Sequence, residues 1–166
     1  VERMVSAVKF KEREAWADED LATAGEEMAE SYYRQSRSDL KGAREAARIA
    51  TERRPQNGFA WTRLAELEFS FGRTREAREA LAQGLEFTPR NARSHALQGF
   101  ILSANNEIEA ARASFEEAVR LDGSFGNGWL GLGLTKTRRG DLAAGRADLQ
   151  TAATVEPTIS MPELAM

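Results

Sequence analysis

Residues 58–91 read GFAWTRLAELEFSFGRTREAREALAQGLEFTPRN. Within this stretch Trp61, Leu64 and Ala65 stand at i, i+3 and i+4, which makes one apolar stripe of a helix. Gly72 and Arg73 interrupt it, and a second stripe follows in Ala77, Leu81, Gly84 and Leu85. Pro89 stops that second helix, because its ring leaves no room for the preceding helical turn. The stretch therefore reads helix, turn, helix, stop. Small residues at Ala65, Ala77 and Gly84 mark where antiparallel helices approach closely, and bulky Trp61 and Leu81 fill the space between.

The same unit recurs along the chain. Pro55, Pro89, Gly123 and Pro157 stand at equal steps, and two further rungs keep that step: Ala43, Ala77, Ala111 and Gly145, then Ala50, Gly84, Ala118 and Ala152. A period of about 34 residues with helix breakers at its beat is the signature of stacked helical repeats. Residues 92–125 repeat the unit with His95, Gln98 and Gly99, a turn at Asn105 and Asn106, then Ala111, Phe115 and Ala118. Residues 126–159 restore it with Trp129, Leu132, Gly133, Leu149, Ala152 and Pro157. There Gly140 is expected to supply a left-handed turn and Asp141 a helix cap.

The length and composition fit one domain. With 42% hydrophobic residues, the 166-residue chain has enough apolar material for a continuous core. A net charge of −3, spread over 30% charged residues of both signs, gives no single-sign field, so nucleic acid and anionic membranes are poor partners. Without cysteine there is no disulfide framework, thiolate metal site or cysteine nucleophile. No window is apolar enough for a membrane span, and the opening segment from Val1 to Trp16 is too charged for a signal-peptide core. A soluble protein is expected, in the cytoplasm or, with a signal removed, in the periplasm or outside the cell. The start at Val1 suggests a piece of a longer chain or a processed one.

Trp61, Leu64, Ala65, Gly72, Ala77, Leu81, Gly84 and Pro89, with their counterparts one and two periods on, resemble the tetratricopeptide repeat. That resemblance implies an all-α, right-handed superhelical solenoid of antiparallel helix hairpins, about four repeats plus a leading helix. The expected division is an amphipathic capping helix over 1–19, a degenerate repeat over 20–57, and repeats over 58–91, 92–125 and 126–159. The start of a truncated further helix would occupy 160–166. In the degenerate repeat Ala43, Ala47 and Ala50 fit the second helix in frame. Its first helix fits only when the turn Ser36–Asp39 carries two extra residues, which puts Met28, Ala29 and Tyr32 at the Leu, Ala and Tyr places.

Three constellations could carry chemistry, and each has a plainer reading. Gly126, Gly128 and Gly131 spell G-x-G-x-x-G, yet no strand precedes them as a dinucleotide site requires; the repeat frame puts the first two at an interhelix turn and Gly131 inside a helix. His95, the only histidine, takes the place of Trp61 and Trp129, with no nucleophile or orienting carboxylate at helical spacing. Glu26, Glu27 and Glu30 read as a solvated acidic face rather than a metal site. No catalytic residue, cofactor or metal is expected.

The resemblance further implies that first helices line a concave groove that holds a bound peptide. Its groove places fall on Phe59, Arg63, Glu66 and Phe69, on Arg93, Leu97 and Phe100, and on Asn127, Leu130, Leu134 and Arg138. The shifted first repeat contributes Tyr33, with Glu26, Glu27 and Glu30 as an acidic entrance. Family members that grip a chaperone's C-terminal carboxylate use Lys and Asn where this chain has Thr62, Glu66, Ala96 and Phe100, so that ligand is disfavoured. The expected function is a non-enzymatic protein-interaction scaffold that binds a peptide or helical segment in a largely apolar groove. The alternatives are self-association through the terminal helices, as a homo-oligomer, and a docking arm of a larger enzyme or regulator.

Overall fold

The period seen in the sequence sets the boundaries of every helix. A computed structural model describes residues 24–155, and the secondary structure among these residues is helical throughout. The helices are α1 (Ala24–Ser36), α2 (Leu40–Arg53), α3 (Gly58–Ser70), α4 (Thr74–Phe87), α5 (Ala92–Ala104), α6 (Ile108–Leu121), α7 (Gly126–Arg138) and α8 (Leu142–Val155). Odd-numbered helices begin at one constant step, at Ala24, Gly58, Ala92 and Gly126, and even-numbered ones keep the same step from Leu40. The leading helix expected over 1–19 and the further helix over 160–166 lie outside the described residues.

Each hairpin turns on one left-handed residue. Ser38 (φ 62°), Gly72 (φ 73°), Asn106 (φ 64°) and Gly140 (φ 91°) share one register. Glycine adopts this backbone without a Cβ clash, and Asn and Ser tolerate it at some cost. Asp141 caps α8 as expected, accepting the Ala144 N–H at 3.2 Å, and Asp39 does the same for Gly42 on α2 at 2.9 Å. Asn57 and Asn91 cap α3 and α5. Two tryptophans are tied to the chain stops before them: Trp61 Nε1 donates to the Pro55 carbonyl at 2.6 Å, and Trp129 Nε1 to that of Gly123 at 2.8 Å.

The first hairpin corrects one expectation. Its turn, residues 37–39, is as short as those at 71–73, 105–107 and 139–141, with no extra residues. The first repeat is therefore in frame, and Glu27, Glu30 and Ser31 stand where the second has Trp61, Leu64 and Ala65. Polar contacts hold these places: Glu27 pairs with Arg53 at 3.6 Å and Glu30 with Arg34 at 2.8 Å, while Ser31 is fully buried. With the apolar marks gone, Met28, Ala29 and Tyr32 imitated them two residues off. In the corrected frame the groove place assigned to Tyr33 belongs to Gln35, and Tyr32 takes the place assigned to Glu30. The acidic entrance at Glu26, Glu27 and Glu30 thus moves off the groove places.

The chain divides into two compact units, Val1–Pro89 and Arg90–Met166. In the first, α1 packs on α2, α2 on α3 and α3 on α4, with α1 and α3 adjacent. Ala43, Ala47, Ala50, Ala60, Ala65 and Ala77 are fully buried there, and Leu67 and Leu81 nearly so. In the second unit α5 packs on α6, α6 on α7 and α7 on α8, with α5 beside α7. Its core gathers Ala96, Ala111, Phe115, Ala118 and Leu132, against which Phe100, Leu102, Val119, Phe125 and Trp129 pack.

The glycines of α7 are explained by that core. All three of the G-x-G-x-x-G residues lie in the helix, which Gly126 opens. A Cβ on Gly128 would stand 2.9 Å from Val119 Cγ1, and one on Gly131 would collide with the Phe115 ring. Phe115 also fills the space a side chain at Gly99 would need, 2.7 Å from its ring edge. The motif is helix packing, as the repeat frame implied, although Gly126 and Gly128 sit inside the helix rather than in the turn.

Candidate functional site: the first-helix faces

In the first unit two of the expected groove residues, Arg63 and Glu66, stand in a polar cluster centred on Arg63. This residue is 3% exposed, and its Nε donates to Ser31 Oγ at 2.9 Å. Nη2 reaches Gln35 Oε1 at 2.6 Å and the Ser31 carbonyl at 3.3 Å, while Nη1 pairs with Glu66 at 3.3 Å. The guanidinium carbon sits 4.0 Å from the centroid of the Tyr32 ring, a cation–π distance. A buried arginine persists only when its donors are satisfied. Arg63 and Glu66, both expected on the groove wall, are thus engaged with α1 and with each other. Phe59 is 57% exposed, Phe69 is half-buried, and Tyr33 is half-buried in the core-side register of Leu67.

In the second unit three expected residues, Phe100, Leu134 and Arg138, come together around a recess of about 280 Å³. Ser103, Ile108, Phe115, Gly131 and Thr135 complete its lining. Phe100 meets Phe115 edge-to-face, with centroids 4.9 Å apart and planes at 73°. The absence of a side chain at Gly131 lets the Phe115 ring lie against α7, between the walls carried by α5 and α7. Leu134 stands at the mouth, 47% exposed. Thr135 turns its hydroxyl back to its own helix, donating to the Leu132 carbonyl at 2.8 Å and lying 3.0 Å from that of Gly131. That leaves the hollow mostly apolar.

Arg138, on an exposed turn of α7, donates from Nη2 to Asn106 Oδ1 at 3.0 Å and from Nη1 to the Ser103 carbonyl at 3.3 Å. Both acceptors are neutral. The adjacent Arg139 instead has a carboxylate, Glu109, at 2.8 Å. Of the remaining expected residues, Leu97 is 7% exposed and belongs to the core, Leu130 and Asn127 are half-buried, and Arg93 is exposed with its guanidinium 5.9 Å from the Phe125 centroid.

Sequence reasoning missed Ile108 and Thr135 as parts of this hollow, and it read Phe115 as hairpin packing. The repeating rungs that found the helices give no distances between them. Only the glycine at 131, opposite a large aromatic, carried a legible signal of a gap. His95 is half-buried at the tryptophan place. Among the described residues no group of acidic, histidine or cysteine side chains is arranged to hold a metal ion, and no helix is long and apolar enough to cross a membrane.

Comparison with known proteins agrees with this geometry. Tetratricopeptide repeat profiles match residues 35–99 and 97–158. Anaphase-promoting complex subunit 3 of Schizosaccharomyces pombe is 33% identical over 113 residues, 66% of this chain. The chain spans 16% of that relative's length. The fold is shared with the APC/C hetero-tetramer Cut9-Hcn1, at TM-score 0.80 and 15% identity over 97% of this chain and 30% of that one. It is shared as well with MamA from Desulfovibrio magneticus RS-1, at TM-score 0.67 and 16% identity over 96% and 88%. With its helices, turns and chain stops repeating in one register and two profiles matching end to end, this chain is a member of the tetratricopeptide repeat family.

Proposed function

We propose that the protein is a binding module that holds a segment of a protein partner against its first helices, with the recess of the second unit as the principal anchor point. The observation that carries this reading is the hollow of about 280 Å³ beneath the half-exposed Leu134, floored by the Phe100–Phe115 pair. It lies at the small end of the roughly 300–1,000 Å³ range of ligand clefts, a size that accommodates one or two apolar side chains of a peptide. Anchoring by one or two apolar side chains is how helical and extended segments gain most of their affinity for a groove. The relatives named in multi-protein assemblies, a subunit of the anaphase-promoting complex and the Cut9-Hcn1 hetero-tetramer, are consistent with it.

The residue to alter is Leu134 rather than Phe100, because Phe100 also packs on the core and a charge there would unsettle the fold. A photo-crosslinking side chain placed at Leu134 should label a protein partner in native lysate, and one at exposed Glu116 should not. Leu134→Asp, with helical circular dichroism unchanged, should abolish capture of that same partner. Equal labelling at the two positions, or capture that survives Leu134→Asp, would sink the reading.

A further inference from the structure

The geometry points to a particular ligand chemistry for the recess: a peptide carrying an apolar side chain with a carboxylate within about two residues of it, the apolar group in the hollow and the carboxylate on Arg138. This inference rests on the proposed function and specifies its ligand.

Three observations carry it. First, Arg138 is the only charged group among the lining residues, so nothing in the hollow itself neutralises it. Second, both of its hydrogen-bond acceptors are uncharged, Asn106 Oδ1 and the Ser103 carbonyl, and these hold the guanidinium at the rim while leaving donors over. A guanidinium has five N–H groups, and a carboxylate can take two of those remaining in a bidentate pair. Third, Leu134 and Arg138 are four residues apart on α7, so they stand on one face separated by about 6 Å along the axis, just over one helical turn. An extended peptide advances about 3.3 Å per residue, which places the matching carboxylate one or two positions from the apolar anchor. Arg139 shows the contrast: its charge already meets Glu109.

The test uses fluorescein-labelled peptides of Ser and Ala bearing one Leu, with Glu, Gln or Lys placed at successive distances from it, titrated by anisotropy into the full chain. Wild type should prefer Glu over Gln next to the Leu by about tenfold, equivalent to about 1.4 kcal/mol. It should show no such preference when the Glu lies far along the peptide. Arg138→Gln should erase the preference while still binding the Gln peptide as wild type does, and Arg138→Glu should transfer it to the Lys peptide. Leu134→Asp should weaken binding of the Glu and Gln peptides alike.

The failures are separable. Leu peptides that bind wild type and Leu134→Asp equally would remove the recess as a binding site and the proposed function with it. Leu peptides that need Leu134 but treat Glu and Gln alike would leave that function standing and overturn this inference. Affinity that rises sharply on deleting residues 156–166, which include Glu163 and Leu164, would make the chain's own tail the occupant. Concentration-dependent dimers lost in Leu134→Asp would make it a second copy. Either result overturns the assignment to a partner's segment.

Discussion

At the scale of single residues, the second repeat shows how one buried charge can replace an apolar contact. The sixth place of the first helices holds Ala29, Arg63, Leu97 and Gly131, and only Arg63 brings a charge inside. That charge is held by Ser31, Gln35, Glu66 and the Tyr32 ring. Arg63→Ala is expected to cost about 3 kcal/mol in urea denaturation, because it deletes several charge-assisted bonds and strands buried acceptors. Arg63 was the least legible residue in the sequence, since an arginine on an amphipathic helix ordinarily belongs in water. Its true role needed the frame of α1, and that frame was hidden by Glu27, Glu30 and Ser31.

A second residue-scale prediction concerns acid. The Ser124 hydroxyl, and then the Ser124 N–H, hydrogen-bond the Asp122 carboxylate and hold its pKa below the ordinary value. A depressed carboxylate stabilises the fold above the unfolded-state pKa, and that contribution is lost as pH falls through the folded-state value. In Ser124→Ala the Asp122 titration, followed by carboxyl carbon NMR, should move up toward the ordinary value. It should stop short of it, because the backbone N–H remains. A midpoint unchanged by the substitution would show that the hydroxyl contributes nothing.

At the scale of the helix, the elements were largely legible because helix breakers and small residues recur in phase. The even-numbered helices begin after residues 39, 73, 107 and 141, which are Asp, Arg, Glu and Asp. The two aspartates cap with their side chains, whereas Arg73 and Glu107 make no side-chain cap bond. Glutamate is one methylene too long to fold back on its own helix start, so Glu107→Asp should stabilise the protein by about 1 kcal/mol in thermal unfolding. A melting temperature that is lowered would mean that the glutamate's present contacts outweigh the missing cap. What the helical pattern withheld was the pairing of faces. Ile108 belongs to a second helix and still borders a hollow shared with two first helices.

At the scale of the whole molecule, the repeat was visible in the sequence because the two helices of a hairpin meet through a few positions that must stay small. Gly84 and Gly145 show this: a Cβ at 84 would lie 2.7 Å from Thr62 Oγ1 and one at 145 would lie 2.9 Å from the Gly133 carbonyl. Such constraints recur once in every repeat whatever the chain binds. Phe100 and Leu134 stand one period apart and were legible together, whereas Phe115 and Arg138 border the recess from other places of the repeat and could be named singly but not joined to them. The left-handed residues at 38, 72, 106 and 140 extend this logic beyond folding. Each marks a seam at which the backbone enters and leaves in the same local geometry, so a cassette cut between any two seams is interchangeable in length and phase with its neighbours. Such a chain can gain or lose whole modules by duplication or deletion without breaking reading register, and its binding surface can be rewritten by shuffling cassettes.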